Sequence, residues 1–207
     1  MELFSYMKQL SGKRRYFQSL VQVKKDYREW ASTLPFKLTG EQINTIEDIK
    51  IDLEKDVSAR RMIVGDVGSG KTMVILASAL MMLPHRSILM APTTILANQL
   101  FEEARKFLPD SKVVLVTNKS KKTDLSEYDF IIGTHALLYR ELPETGLVMV
   151  DEQHRFGTAQ RNMLEKLVST GKTHNQGGQA KPHFLQFSAT PIPRTQAMIE
   201  TAHIDVS

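Results

Sequence analysis

The 207 residues contain no cysteine. That excludes disulfides, cysteine-based zinc sites and a thiol nucleophile, and it fits a cytoplasmic setting. No run of about 18 apolar residues occurs, so nothing reads as a membrane span. The opening Met1-Glu2-Leu3-Phe4 lacks a basic stretch leading into an apolar one, so no secretory leader is read there. Neither sign of charge dominates: 27 Lys and Arg against 23 Asp and Glu leave a formal +4. So mild a bias suits a polyanionic partner without requiring one. Hydrophobic residues make up 42 %. That is ordinary for a globular chain and enough, at this length, for a sizeable core.

The most informative stretch is Arg61-Met62-Ile63-Val64-Gly65-Asp66-Val67-Gly68-Ser69-Gly70-Lys71-Thr72. Gly65, Gly70, Lys71 and Thr72 fill the pattern G-x-x-x-x-G-K-[ST] of a phosphate-cradling loop. Glycines let the backbone wrap close to phosphate oxygens. N–H groups from about Val67 to Thr72, at the positive end of the following helix, would form an anion nest. Lys71 would reach the β- and γ-phosphates, and the Thr72 hydroxyl would sit on Mg²⁺. A chance glycine turn before Lys-Thr is the competing reading. The apolar strand upstream (Met62 to Val64) and the apolar helix downstream (Met73 to Ala77) favour the phosphate loop.

Residues from about Glu2 to Trp30 read as helix, with no proline and one glycine. They carry Lys8, Lys13, Arg14, Arg15, Lys24, Lys25 and Arg28. A nucleic-acid-facing arm is one reading. A solvated face, or the remnant of another domain, is the better one. Pro35 then breaks the chain. Thr39, with Gln42 three residues on, forms a capping box for a helix to about Asp56. Strands read over Ser87 to Ala91, Lys112 to Thr117, Asp129 to Gly133, Leu147 to Val150 and Phe184 to Phe187. Helices read from Thr93 to about Phe107 and from about Ala159 to Val168. Ser169 to Pro182 reads as a mobile loop, and a short helix is expected from about Arg194. Near-continuous apolar strands separated by helices mean an α/β fold with a parallel sheet buried on both faces.

A phosphate loop needs a carboxylate at the end of another buried strand. Leu147-Val148-Met149-Val150-Asp151-Glu152 supplies one. Asp151 would hold Mg²⁺ through water, and Glu152 would polarise the attacking water. Two solvated acids at a strand end are the alternative.

Asp151-Glu152-Gln153-His154 resembles the DExH box of superfamily 2 helicases, and the longer run to Arg155-Phe156-Gly157 resembles the RecG type in particular. Gly65 to Thr72 is similar to that family's motif I, Ala91 to Ala97 to motif Ia, and Gly133 to Leu138 to motif Ib. Ser188-Ala189-Thr190-Pro191-Ile192-Pro193-Arg194-Thr195 is similar to motif III. Phe36-x-Leu38-Thr39-x-x-Gln42 resembles the adenine-reading segment. The likeness runs over about residues 34 to 207. Primosomal helicases and transcription-repair coupling factors usually carry Glu where Gln153 stands, so Gln153 favours RecG.

The resemblance implies a three-layer, RecA-like P-loop NTPase lobe over residues 34–207, preceded by a basic helical segment over 1–33. It implies ATP and Mg²⁺ as cofactors. Phe36, Thr39 and Gln42 would bind adenine, and Gly65, Gly68, Ser69, Gly70, Lys71 and Thr72 the phosphates. Thr72 and Asp151 would serve the metal, and Lys71, Asp151, Glu152 and His154 the chemistry. Gln153, Ser188 and Thr190 would couple nucleotide state to domain motion. Pro92, Thr93, Thr94, Gly133, Thr134 and His135 would line a DNA strand. From the residues alone, Thr93 reads as a helix cap, His135 as a loop histidine, and Ser188 and Thr190 as strand-end hydroxyls. The family also has a second RecA-like lobe with motifs IV to VI, which the sequence does not carry. A piece of a longer monomeric helicase is therefore expected. Its partner would be branched or single-stranded DNA; alone, it would bind ATP but hydrolyse it poorly and not unwind DNA. A free-standing nucleotide- and DNA-binding module without helicase activity is the alternative, or the lobe of a related helicase such as a primosomal helicase or transcription-repair coupling factor. Ser188 stands where the family commonly has Thr, and Asn118 where it often has Gly.

Overall fold

Short runs of Ile, Val, Leu and Met become parallel strands because both of their faces find apolar cover. The computed structural model describes residues 17–65, 70–152, 156–169, 180–189 and 205–206. The strands are β1 (Gln18–Ser19), β2 (Arg60–Val64), β3 (Ser87–Met90), β4 (Val113–Val116), β5 (Phe130–Gly133), β6 (Leu147–Asp151), β7 (Ala180–Lys181), β8 (His183–Ser188) and β9 (Asp205–Val206). The helices are α1 (Arg28–Ser32), α2 (Gly40–Glu54), α3 (Lys71–Met82), α4 (Thr94–Phe107) and α5 (Thr158–Ser169), with a 3₁₀ turn at His135–Tyr139.

Seven strands form one sheet in the order β4-β5-β3-β6-β8-β2-β9, and every pairing is parallel. Side chains alternate between its faces. Leu89, Ile132, Met149 and Leu185 join Ile46, Ile49, Leu53, Ile75 and Leu76 of α2 and α3 in one cluster. Ile88, Met90, Ile131, Val148, Val150 and Phe184 join Leu137 and Leu164 in the other. Two cores around one sheet make the three layers expected. Helix α3 is apolar almost throughout because nine of its twelve residues, from Met73 to Met82, are buried.

The N-terminal segment departs from expectation. Of the helix read over Glu2 to Trp30, the described part is helical only from Arg28. Residues 17–27 instead form an extended strap across the N-terminal ends of the strands. Its backbone finds partners in the lobe: Ser19 N–H donates to the Asp56 carbonyl at 2.6 Å, Leu20 N–H to Lys181 at 2.9 Å, and Val23 N–H to Leu53 at 3.0 Å. Strand β1 pairs with β7. Val23 and Tyr27 bury their side chains in the core, and Trp30 Nε1 donates to the Phe107 carbonyl at 2.7 Å. These bonds replace those of a helix and add burial. Lys8, Lys13, Arg14 and Arg15 lie outside the described residues. So do most of the loop read at Ser169 to Pro182, whose end is β7, and the start of the helix read from Arg194.

Candidate active site

Register places the site. Strand β8 lies between β2 and β6, with Ser188 opposite Val64 and Phe187 opposite Asp151. The three strand ends are therefore adjacent: the phosphate loop leaves β2, the acid pair ends β6, and Ser188-Ala189 ends β8. All three strands are parallel, so these are carboxyl ends on one edge of the sheet, where parallel sheets bind ligands. The ladder continues past the strands, with Gly65 N–H donating to the Ser188 carbonyl at 3.0 Å and Glu152 N–H to the Phe187 carbonyl at 2.8 Å.

Lys71 opens α3 and points at both acids. Its Nζ donates to Asp151 Oδ1 at 2.7 Å and to Glu152 Oε1 at 3.0 Å. The carboxylates are almost buried, with side chains 5 % and 10 % exposed. Burial by itself would lower the Lys71 pKa; the bonds and charges of Asp151 and Glu152 outweigh it and hold the amine above its usual value. Ala189 N–H donates a third bond, to Glu152 Oε1 at 2.8 Å. Glu152 itself has φ 54°, the left-handed region that a side chain of its size rarely adopts. Such strain persists only where neighbours over-determine it, and it concentrates at functional sites.

Gly70 explains its own identity. Its φ is 79°, and a Cβ there would meet Gln42 Nε2 at 2.0 Å. Gln42 closes the capping box with Thr39, its Oε1 accepting from Thr39 N–H at 2.8 Å while Thr39 Oγ1 accepts from Gln42 N–H at 3.2 Å. The same side chain donates from Nε2 to the Gly70 carbonyl at 3.0 Å. The cap and the brace on the phosphate loop are thus one residue. The amide keeps a second N–H and a second carbonyl lone pair. Phe36 packs edge-on against Phe107, ring centroids 5.8 Å apart, and stays 43 % exposed. Thr72 lies in the first turn of α3. Gly68, Ser69, Gln153, His154 and Thr190 lie outside the described residues.

Hard oxygen donors, the Asp151 carboxylate and the Thr72 hydroxyl, suit Mg²⁺. Among the described residues no group of three His, Cys, Asp or Glu could hold a metal unaided.

The residues assigned to a DNA track lie at the ends of β3 and β5, neighbours in the sheet on the same side as the acid pair. Thr93 and Thr94 are exposed, and Thr93 Oγ1 caps α4 by accepting from Leu96 N–H at 3.2 Å. Pro92 and His135 are half-buried. Thr134 differs from expectation. It is 3 % exposed, and its hydroxyl accepts from Ala136 N–H at 3.3 Å, so it shapes the 3₁₀ turn instead of facing solvent. Gly133 is required by space: a Cβ would lie 2.4 Å from the Val116 carbonyl.

Sequence reasoning missed the Ala189 N–H, since a backbone donor leaves no residue-type signal. It also missed that Lys71 bridges both acids.

The DEAD/DEAH box helicase family matches residues 39–199; the chain belongs to that family. Within it the relatives are of the RecG type. The chain is 46 % identical over 214 residues to the ATP-dependent DNA helicase RecG of Helicobacter pylori (strain J99), covering 98 % of this chain and 33 % of the relative. It is 40 % identical over 191 residues to that of Escherichia coli K12, covering 85 % of this chain and 27 % of the relative. The structure of RecG bound to a three-way DNA junction matches with a TM-score of 0.70 and 26 % identity, over 99 % of this chain and 28 % of that one. The UvsW helicase of bacteriophage T4, at 14 % identity and a TM-score of 0.64, covers 92 % of this chain and 70 % of its own; it shares the fold. The chain thus spans about a third of the length of the Helicobacter relative. No described helix is long and apolar enough to cross a membrane.

Proposed function

We propose that the chain is the ATP-binding motor lobe of a RecG-type DNA helicase, which couples ATP hydrolysis to movement on, and remodelling of, branched DNA in repair and recombination. The observation that carries this reading is Lys71 bridging Asp151 and Glu152 at 2.7 and 3.0 Å. The phosphate-loop lysine rests on two carboxylates, partners that the phosphates of a bound nucleotide can replace. On nucleotide binding Lys71 leaves the acids for the phosphates. Asp151 and Thr72 would hold Mg²⁺, which would neutralise phosphate charge. Glu152, freed of its cation and still held by Ala189 N–H, orients the attacking water and takes its proton. Gln42 reads adenine with the amide hydrogen and lone pair it keeps, beside Phe36. Gly68 and Ser69 complete the phosphate nest, His154 joins the chemistry, and Gln153, Ser188 and Thr190 relay nucleotide state. Pro92 to Thr94 and Gly133 to His135 carry the DNA strand, Thr134 by holding the turn. The lobe works as a cytoplasmic monomer.

An arginine supplied across an interface is worth about 10³–10⁵ in rate in P-loop enzymes. A single lobe therefore binds ATP and turns it over slowly. Calorimetric titration of Mg-ATP tests the reading: Lys71→Ala should lose at least tenfold in affinity, since bonds to charged groups are worth about 1.5–3 kcal/mol. Unchanged affinity would overturn the site. In the same preparation ATPase should stay near background with DNA added, and a strong DNA-stimulated rate would overturn the slow-turnover account.

A further inference from the structure

The β4 edge of the sheet carries exposed groups that the nucleotide site and the DNA track leave unused. The turn after β4 holds Lys119, Lys121 and Lys122, all exposed. Opposite it stands Tyr139, the last residue of the 3₁₀ turn, 68 % exposed. Arg140 ties the two together, its Nη2 donating to the Ser120 carbonyl at 2.7 Å and the Lys121 carbonyl at 3.0 Å. Between them opens a cleft of about 520 Å³, lined by Lys122, Thr123, Leu125, Tyr139, Arg140 and Leu142 among others. The acids Asp124 and Glu141 also line it. Asp124 is turned into its own loop, accepting from Ser126 N–H at 3.0 Å and Ser126 Oγ at 2.7 Å. Within the lining Lys122 and Arg140 offset Asp124 and Glu141, and Lys119 and Lys121 of the same turn add positive charge beside it.

An isolated exposed aromatic needs no explanation. This one has three neighbours that do. Lys122 lines the cleft with it, on the turn that also bears Lys119 and Lys121. A guanidinium fixes the distance from ring to lysine turn. And the turns bearing both follow β4 and β5, continuing the row of loops from β3, with Thr134 N–H bonded to the Val116 carbonyl at 3.2 Å. A flat aromatic face flanked by mobile cations is how single-stranded nucleic acid is held without reading its sequence. We infer that Tyr139 is a stacking platform for an unpaired base of single-stranded DNA, with Lys119, Lys121 and Lys122 on the flanking phosphates. The inference rests on the DNA-binding reading and extends that track by one strand.

The test is fluorescence anisotropy of a labelled oligo-dT strand with the 207-residue chain. Tyr139→Ala should weaken binding about fivefold or more, because stacking is worth about 1–3 kcal/mol per base. Tyr139→Phe should bind as wild type, since the ring and not the hydroxyl stacks. Replacing the three lysines with alanine should flatten the salt dependence by about 2 in log–log slope, at about 0.7 per phosphate. Mg-ATP affinity should not change in any of these. A Tyr139→Ala chain that binds within twofold of wild type, while Thr94→Asp weakens binding, overturns the inference and leaves the track standing. A wild-type chain that binds no oligo-dT overturns both. If Tyr139→Ala fails to fold, photocrosslinking wild type to 5-iodouracil DNA decides: a crosslink at Tyr139 supports the platform, and crosslinks only elsewhere sink it.

Discussion

At its first residue β8 buries His183, and at its last it runs into the acid pair; the strand joins two polar clusters of opposite character. His183 is 0 % exposed. Its Nδ1 accepts from Ala59 N–H at 2.9 Å, which leaves Nε2 to donate to the Val21 carbonyl at 2.9 Å. Beside it Ser58 Oγ donates to the Pro182 carbonyl at 2.6 Å. Every bond there is neutral, and the ring can satisfy both only as one tautomer. At the other end the groups are charged, one backbone angle is strained, and Lys71 holds partners it could exchange. The first cluster fixes the strap to the lobe. The second stores interactions for a ligand. A buried polar group with no alternative is architecture, and one with alternatives is a candidate for function.

The largest effect should come from the neutral end. His183→Ala strands the Ala59 N–H and the Val21 carbonyl, each costing about 1–3 kcal/mol when buried and unpaired, so a loss of about 3 kcal/mol or more is expected in chemical denaturation. Burial is the main force lowering the His183 pKa, against the opposing Val21 carbonyl and Asp52 charge. The folded state thus disfavours the proton that the unfolded chain accepts near pH 6.5. His183's share of stability is whole above about pH 6.5 and drains as pH falls through its lower folded-state value. Melting curves at pH 7.5, 6.5 and 5.5 should show this slope in wild type and a flatter one in His183→Gln. An unaltered slope would mean that the cluster is not the acid-sensitive part.

A middle-sized effect tests whether the charged end has any fixed point. Gly70→Ala forces a side chain into φ 79° and onto Gln42. A strained left-handed residue costs about 1–3 kcal/mol, and the Gln42 brace is displaced as well. Gly40→Ala is the control: nothing lies within 4 Å of its Cβ, and in a helix it should be neutral or slightly stabilising. Equal losses at both positions would show that Gly70 is not specially constrained. Thermal midpoints of the two variants decide it.

The charged end was far more legible in sequence than the neutral one. Phosphate loops and strand-end acid pairs need fixed residue types at fixed spacing, so Gly65 to Thr72 and Asp151-Glu152 stand out. Parallel strands are apolar on both faces, so β3, β5 and β6 read directly. The strap did not. Its residues have ordinary helix propensity, and the choice of extended chain was made by the carbonyls of Leu53, Asp56 and Lys181 and the N–H of Ser58, far away in sequence. The alternation in Val21-Gln22-Val23 was a slight local hint. His183 opens the apolar run of β8 with no neighbour to betray its bonds to Val21 and Ala59. Propensity is a weak prior against such tertiary partners.

The smallest effect is also the sharpest test of the contrast. If the acid pair stores interactions rather than building the fold, Glu152→Gln should cost little. The amide oxygen can still accept from Ala189 N–H and from Lys71, replacing bonds now at 2.8 and 3.0 Å. Removing one charge weakens the attraction to Lys71, but it also ends the repulsion from Asp151 and the desolvation of a second carboxylate, and a partly buried pair gains little net from its charges. The backbone strain at φ 54° is unchanged. Stability should therefore stay within about 1 kcal/mol of wild type in denaturant titration, against the loss of about 3 kcal/mol or more expected at His183. A drop of more than about 2 kcal/mol would make the Glu152 charge a structural element, and the distinction between the two ends of β8 would fail.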